Sequence, residues 1–580
     1  MSVPPQLRRL EHLLLRGALR PRRPDATVVP AFAAGVGMGA PLLFLFALGR
    51  IDLLVFAAFG GFTSLYGRNE PYAVRAPMLA AVGLFLTSAV VAGTAVAALV
   101  GNVVVSIVVV AVFAGLSKLL ADAARVGPPA GLMPVFAIAV CAELPVDGSA
   151  IPVAALTSGL AAAWCWLVCM SGYLIRHHGP ERIAVARALE AVAERVVAIG
   201  TELEPTARHR AGVALQRAWQ VLASAKVGVV TGRLEALCAY AETAMERSRH
   251  AHERAVGRGD PDAEVPEVVD TGTLLRLASQ LRGFGRTPSV PPSRSAETDL
   301  AERQAAAAIL TEPSALLTHP ASPSSLRHMS RTPVVRRWGS TLRDLRLSSP
   351  YVPLALRVLV AALIGSVVAH AAGLGHTSWA AVSAAAVLQS VNTVSTLHRG
   401  IQRAVGTGFG LLIGVALLWV APEARSAIVL VIIFQVLAEL TVMVNYAFAL
   451  VFATPVALLL AHVGHAIPVT TLARDRLLDT LVGAVIGVLV AVAIPNHRLG
   501  DALREAMRQA EVTLRRGRDL LAEGEQPEQL AAGRDLALAL QRMRSAYDAA
   551  SGEPSPEDLP AESFRRLEHE GFAVLARLTS

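Results

Sequence analysis

Lysine is almost missing from this chain. Its 580 residues include only Lys118 and Lys226, in the contexts Ala-Gly-Leu-Ser-Lys and Leu-Ala-Ser-Ala-Lys. Neither follows the Gly-rich turn of a phosphate loop, so ATP-driven pumping has no phosphate-binding lysine. Charge of either sign is scarce: Asp, Glu, Lys and Arg make up 17% of the residues, against roughly 25% in ordinary soluble domains. The four cysteines, Cys141, Cys165, Cys169 and Cys238, form no paired motif. Cys165 and Cys169 share a helix face and read as small apolar packing residues. His209, His250 and His252 have no ligand spacing, so neither metal nor cofactor is expected. A nucleophile elbow and a zinc-protease motif are also absent, and the chain does not read as an enzyme.

Long apolar runs fill the space that charge vacates. Hydrophobic residues make up 53% of the chain and the mean hydropathy is +0.50. A bilayer core about 30 Å thick takes roughly 17–25 apolar residues per helix. Runs begin near Val29, Leu53, Pro77, Val103, Pro128 and Ile151, and again near Val352, Ser378, Ala404, Ala427, Met443 and Leu477. An offset of about 324 residues relates the two sets and carries Arg75 onto Arg399. The stretch Ala427–Ala461 is too long for one span and divides at a turn between Glu439 and Asn445. The expected fold is an all-α membrane protein of two parallel six-helix transmembrane repeats with cytoplasmic helical regions, about twelve spans in all. The boundaries fall at 1–28, a basic N-terminal segment; 29–175, the first repeat; 176–350, a helical domain with Pro/Ser-rich linkers at Thr287–Ser295 and Thr311–Ser325; 351–496, the second repeat; and 497–580, a C-terminal helical region.

Arginine sets the orientation. Arg8, Arg9, Arg16, Arg20, Arg22 and Arg23 precede the first span, and Arg68, Arg75, Lys118, Arg125 and Arg176 occupy alternate loops, whereas Glu143–Ala150 has no base. Basic loops stay inside, so both termini and the middle domain are expected in the cytoplasm of a multi-pass bacterial inner-membrane protein. Arg474 and Arg476 lie on the side that parity makes external. That requires a different span count or burial of these arginines, with Asp475 and Asp479 as available partners. The net charge of +8 faces anionic lipid and not nucleic acid.

The richest polar segment is His398–Gly414. Arg399 and Arg403 are spaced to share a helix face at the expected cytoplasmic start of a span, where free N–H donors and the helix dipole favour a carboxylate. With Gln402, Thr407 and Arg75 they form the candidate substrate-binding set; anchoring to lipid phosphate is the alternative for the arginines. Gly406, Gly410, Gly414, Gly483 and Gly487 recur every fourth residue and read as helix-packing positions. Glu439, late in an apolar span, is the proton-coupling candidate, with pairing to an arginine as its alternative. His370 and His376 sit at the opposite rim, and Trp379 reads as an interface anchor.

The motifs Gly375-His-Thr-Ser-Trp379, Arg399-Gly-Ile-Gln-Arg403 with Gly406-Thr407 and Gly410, Asn445-Tyr446, and Asp475-Arg-Leu-Leu-Asp479-Thr480 with Gly483 resemble the fusaric acid resistance protein-like family of bacterial membrane proteins over residues 350–500. The first half keeps Arg75 but has Leu79 where the offset places a partner for Arg403, and it lacks the Gly-Thr pair. The resemblance implies an inner-membrane exporter of aromatic or other hydrophobic carboxylic acids. It extends to plant malate-permeable anion channels built from two six-span subunits. The expected function is export of organic anions, coupled to protons. A passive organic-anion channel of the same fold and a non-transporting membrane scaffold are the alternatives. The expected partners are a small organic anion and membrane lipid, with a second copy of the chain or other envelope proteins left open.

Overall fold

The apolar runs become helices of two lengths. The computed structural model describes residues 17–19, 28–201, 203–225, 228–257, 270–283, 285–290, 349, 351–420, 423–464, 469–523, 526–553 and 559–578. The N-terminal arginines Arg8–Arg16 and Arg20–Arg23, the linker Thr311–Ser325 and most of Thr287–Ser295 lie outside them. Among the described residues the first membrane half comprises α1 (Val28–Ala47), α2 (Leu54–Gly61), α3 (Tyr72–Leu99), α4 (Val103–Ala123), α5 (Leu132–Cys141) and α6 (Ala150–Ile175). A middle bundle follows: α7 (Gly179–Ala198), α8 (Glu204–Ala223), α9 (Val229–Gly257) and α10 (Thr271–Arg282). The second membrane half comprises α11 (Val352–Ala371), α12 (Ser378–Val387), α13 (Thr393–Val420), α14 (Ala424–Thr441), α15 (Tyr446–Gly464) and α16 (Val469–Ala493). A C-terminal bundle of α17 (Arg498–Glu523), α18 (Gln526–Ala550) and α19 (Ala561–Leu578) closes the chain. No strand occurs among the described residues.

Eight of these helices, α1, α3, α4, α6, α11, α13, α14 and α16, are long and apolar enough to cross a membrane. This is an all-helical membrane protein. The second and fifth apolar elements of each half are shorter: Ile51–Leu65, α5, α12 and Tyr446–Ala461. Ten helical residues rise about 15 Å, half the hydrocarbon thickness, so α5 and α12 do not cross alone. Breakers explain their length. Pro128, Pro129 and Gly131 precede α5, Gly373 and Gly375 precede α12, and all ten residues of α12 are buried in protein. The turn placed by sequence between Glu439 and Asn445 is the break between α14 and α15.

Two expectations are corrected. The third helix of each half starts before its apolar run: α3 opens at Tyr72, not Pro77, and α13 at Thr393, not Ala404. Arg399 and Arg403 therefore sit six and ten residues inside α13 and not at its first turn. Helical backbone is indifferent to the hydropathy on which the sequence boundary rested. The constant offset also slips, from 324 at the starts of α1 and α11 to 321 at the starts of α3 and α13, which places Arg75 and Arg399 one turn apart in helix register.

The halves pack on each other reciprocally. Helix α1 lies on α14 and α4 on α11, while α5 meets α12 and α2 meets α15. Glycine allows the close approach: a Cβ on Gly39 would fall 2.9 Å from Ile432 Cδ1, and one on Gly115 would fall 2.9 Å from Leu359 Cβ. In the lipid phase such small-residue contacts replace the hydrophobic drive that water supplies elsewhere.

Outside the apolar layer, each bundle has its own core. Val185, Leu189, Leu215, Leu222, Leu237 and Leu274 fill the middle bundle, and Leu503, Leu514, Leu536, Leu540, Met543 and Phe564 fill the C-terminal one. Arg176 donates to the carbonyls of Leu281 (2.7 Å) and Arg282 (2.9 Å), and Arg182 to those of Gln280 (3.0 Å) and Gly285 (2.7 Å). These guanidinium groups satisfy the open carbonyls at the C-terminal end of α10 and complement its dipole. The turn after α18 inserts into the second half: Glu553 pairs with buried Arg357 at 3.2 Å, and Val394 N donates to Gly552 O at 3.0 Å. All four cysteines are buried and free.

Candidate functional site

A cluster of polar and aromatic side chains, termed the chamber below, gathers from α5, α12, α13, α15 and α16. Arg476, two turns into α16, stacks its guanidinium 3.3 Å from the centre of the Trp379 ring, with Phe136 of α5 at 5.9 Å. The rings themselves pack at 5.0 Å, and Phe136 continues onto Phe59 at 5.4 Å. The aromatic wall is thus built from both halves. Arginine tolerates this partial burial because its planar cation is weakly hydrated and stacks on ring faces. Its Nε and Nη1 find no hydrogen-bond partner, so part of its bonding fork is unspent.

Around Arg476 stand four groups within Coulombic reach: Arg403, Asp479, Tyr446 and Glu143. Arg403 is buried on α13 and donates from Nη1 to Tyr446 Oη at 3.1 Å, leaving Nε without a partner. Arg399, one turn earlier, lies 5.3 Å over the same tyrosine ring. Asp479 is fully buried, and neither carboxylate oxygen is hydrogen-bonded. The hydroxyls of Ser383 and Thr480 are likewise buried and without partners. Glu143, from the α5–α6 loop, accepts from Ser378 N at 2.8 Å and so closes the N-terminus of α12 across the boundary between halves. Buried polar atoms are satisfied in well over nine cases in ten. Several of the exceptions gather here, on Ser383, Arg403, Arg476, Asp479 and Thr480.

The other sequence candidates are spread out. Gln402 faces away, donating from Nε2 to Ala18 O at 2.6 Å, the carbonyl that Asn445 Nδ2 also meets at 2.9 Å. Thr407 is buried farther along α13. Arg75 is buried in the first half beside Gly67 and Cys169. Glu439 contacts Arg68 in an ion pair whose side chains are 7% and 14% exposed, joining α14 to the α2–α3 loop of the opposite half. The glycines lie at helix contacts: Gly406, Gly410 and Gly414 face α15, and Gly483 and Gly487 face α12. His376 Nδ1 stands 3.8 Å from Asp475 Oδ2 at one rim. Among the described residues no cluster of metal-ligating side chains occurs.

Sequence reasoning saw Arg476 as a charge on the wrong side that required another span count or burial beside Asp475 and Asp479, and Trp379 as an interface anchor. It missed Phe136, Glu143 and Arg68 as site residues. The misplaced charges were the available signal, and the structure separates them: Arg476 is half-buried against Trp379, whereas Arg474 is exposed.

Residues 360–490, from the third turn of α11 to the last turn of α16, match the family described as fusaric acid resistance protein-like. Over these residues the chain resembles that family. Trp379, Arg399, Arg403, Asp479 and Arg476 all fall in the family segment, whereas Phe136 and Glu143 reach the chamber from outside it. Across 559 residues the chain is 26% identical to "Uncharacterized membrane protein YvaC" of Bacillus subtilis (strain 168), covering 90% of this chain and 81% of that protein. Over 179 residues it is 30% identical to "Inner membrane protein YccS" of Escherichia coli (strain K12), covering 30% of this chain and 24% of YccS. No solved structure matches it.

Proposed function

We propose that this chain exports aromatic or other hydrophobic organic anions across the bacterial inner membrane. One observation carries the reading: Arg476 is stacked on Trp379, with Phe136 alongside, its Nε and Nη1 unspent, and the buried Arg403 stands near it. A ring of the substrate extends the aromatic wall, and its carboxylate takes charge-assisted hydrogen bonds from the two guanidinium groups. Proton coupling is assigned to the acids of the chamber, Asp479 foremost.

The membrane halves are read as two parallel six-helix repeats about an axis along the membrane normal. Reciprocal packing supports this. Gly115 and Val436 each stand twelve residues past the start of their helices, α4 and α14, and their neighbours Leu359 and Gly35 each stand seven past the start of α11 and α1. The crossing contacts match too. Lys118 and Glu439 occupy the same position in α4 and α14; Lys118 reaches Gln389 O at 3.5 Å before α13, and Glu439 meets Arg68 before α3. Basic residues at alternate ends support cytoplasmic placement of both termini, the middle bundle and the C-terminal bundle.

A passive anion channel is the second reading, favoured by the pairing of Glu439 with Arg68, which gives that acid a structural task. Uphill accumulation of a fluorescent aromatic acid, 2-naphthoate, in inverted vesicles with an imposed pH difference separates the readings. The exporter accumulates it, Arg476→Ala loses at least about tenfold in rate, and Arg476→Lys recovers only part. Downhill flux alone would select the channel, and wild-type rates in Arg476→Ala at normal protein level would remove the chamber from transport.

A further inference from the structure

A second cation-lined space lies apart from the chamber. A cavity of about 690 Å³ opens where α7 and α8 of the middle bundle meet the α2–α3 loop of the first membrane half. Its wall carries Arg68, Arg187, Arg210, Arg217 and His209 and no carboxylate. Three of these cations are engaged at their edges: Arg68 with Glu439, Arg217 with Glu70 at 2.7 Å, and Arg187 with Asn69 Oδ1 at 3.1 Å. Arg210 and His209 make no hydrogen bond or ion pair among the described residues. The remainder of the wall is apolar, with Ile183 of α7 facing Val213 and Val221 of α8.

Each feature limits the occupant. The volume is that of a small-molecule site, roughly 300–1,000 Å³. Glu439 and Glu70 offset Arg68 and Arg217 from outside the wall, which leaves a surplus of cations that selects an anion, and Arg210 is an exposed, unspent donor at its edge. The aliphatic side would be wasted on a bare inorganic ion and suits an apolar body. A guanidinium binds a planar carboxylate or sulfonate through two parallel bonds.

We propose that this cavity binds an organic anion with an apolar body, its acid group on Arg210 and Arg217 and its body against Ile183 and Val213. The site is distinct from the Arg476 chamber and stands or falls without the transport reading.

The probe is 4-benzoylbenzoate, a photoreactive aromatic acid, added to the purified full chain in detergent. After irradiation, peptide mass spectrometry locates the label. Labelling is expected within residues 180–221, displaced by 2-naphthoate but not by 2-naphthalenemethanol or inorganic phosphate. Arg210→Glu, a change at an exposed position, should raise the probe concentration for half-labelling at least about tenfold, and Arg210→Lys much less. Absence of label from this segment, label insensitive to Arg210→Glu, or displacement by phosphate or glycerol phosphate alone would overturn the assignment; the last would mark a phosphate or lipid-headgroup site.

Discussion

Replacing Glu439 by Gln tests how the two membrane halves are held together. Glu439 is 7% exposed and contacts Arg68, 14% exposed, on the other half. Two unit charges about 4 Å apart at an effective dielectric near 20 attract by about 4 kcal/mol. Removing one of them leaves the other buried and uncompensated, at a cost of about 3–5 kcal/mol. Glu439→Gln keeps the volume and removes the charge, so the loss is electrostatic. Arg68→Met, alone, should cost about as much. The double variant removes both charges and should regain most of the stability, since neutral replacement of a buried pair is often nearly free. Unfolding of the purified chain in detergent at pH 7, followed for the wild type and the three variants, gives the coupling energy, expected above about 2 kcal/mol. Single losses that simply add, within about 0.5 kcal/mol, would refute the reasoning. The cycle also protects the transport assay from misreading. If the double variant restores uphill transport that Glu439→Gln lost, that loss came from broken packing between halves and not from a missing proton carrier.

The remaining expectations concern the rest of the molecule. Arg403→Ala should slow export of an aromatic acid more than it lowers protein level, and Arg403→Lys should recover part of the rate because a point charge cannot make the two-pronged bond; vesicle uptake at wild-type rate would contradict this. Gly410→Val should disrupt the α13–α15 contact, because a Cβ there falls 2.7 Å from Thr454 Cβ, whereas Gly408→Ala, with open space around it, should be neutral; overpacking costs about 1–3 kcal/mol, read as a lowered melting temperature. In the middle bundle, burial raises the Glu181 carboxyl to about 7. Its folded form holds the proton more tightly than the unfolded chain, so stability is full below the ordinary carboxyl range and falls as pH rises through about 7, by up to about 3 kcal/mol. Melting curves from pH 4 to 8 should show this decline and Glu181→Gln should flatten it. Glu553→Ala strands buried Arg357 and should loosen the C-terminal bundle from the second half, measurable as faster proteolysis after α18.

Much of the architecture was legible because hydropathy is a local property. All twelve apolar runs became helices, although only eight are long enough to cross by themselves, and the α14–α15 turn was marked by Glu439 and Asn445 within an overlong run. The helix ends were less legible. Arg75, Arg399 and Arg403 interrupt apolar runs without interrupting helices, so α3 and α13 start earlier than their hydrophobicity does. Gln402 and Arg403 are neighbours with similar reach, yet one bonds Ala18 and the other Tyr446. Spacing places them on adjoining faces and cannot say what each face meets.

The sequence by itself determined that this is a helical membrane protein, that its chain runs twice through a similar order of elements, and which few polar residues are committed to the apolar layer. Water and lipid impose those outcomes segment by segment, through the cost of burying charge and of leaving backbone groups unbonded. Only the tertiary structure decided that Arg68 meets Glu439, that Arg476 lies on Trp379 and Phe136, and that α7 and α8 surround a cation-lined cavity against the α2–α3 loop. Each of these joins segments far apart in the chain. Their meeting depends on which helix faces pack together, and that choice rests on complementary shapes such as Gly115 against Leu359, which no single segment contains.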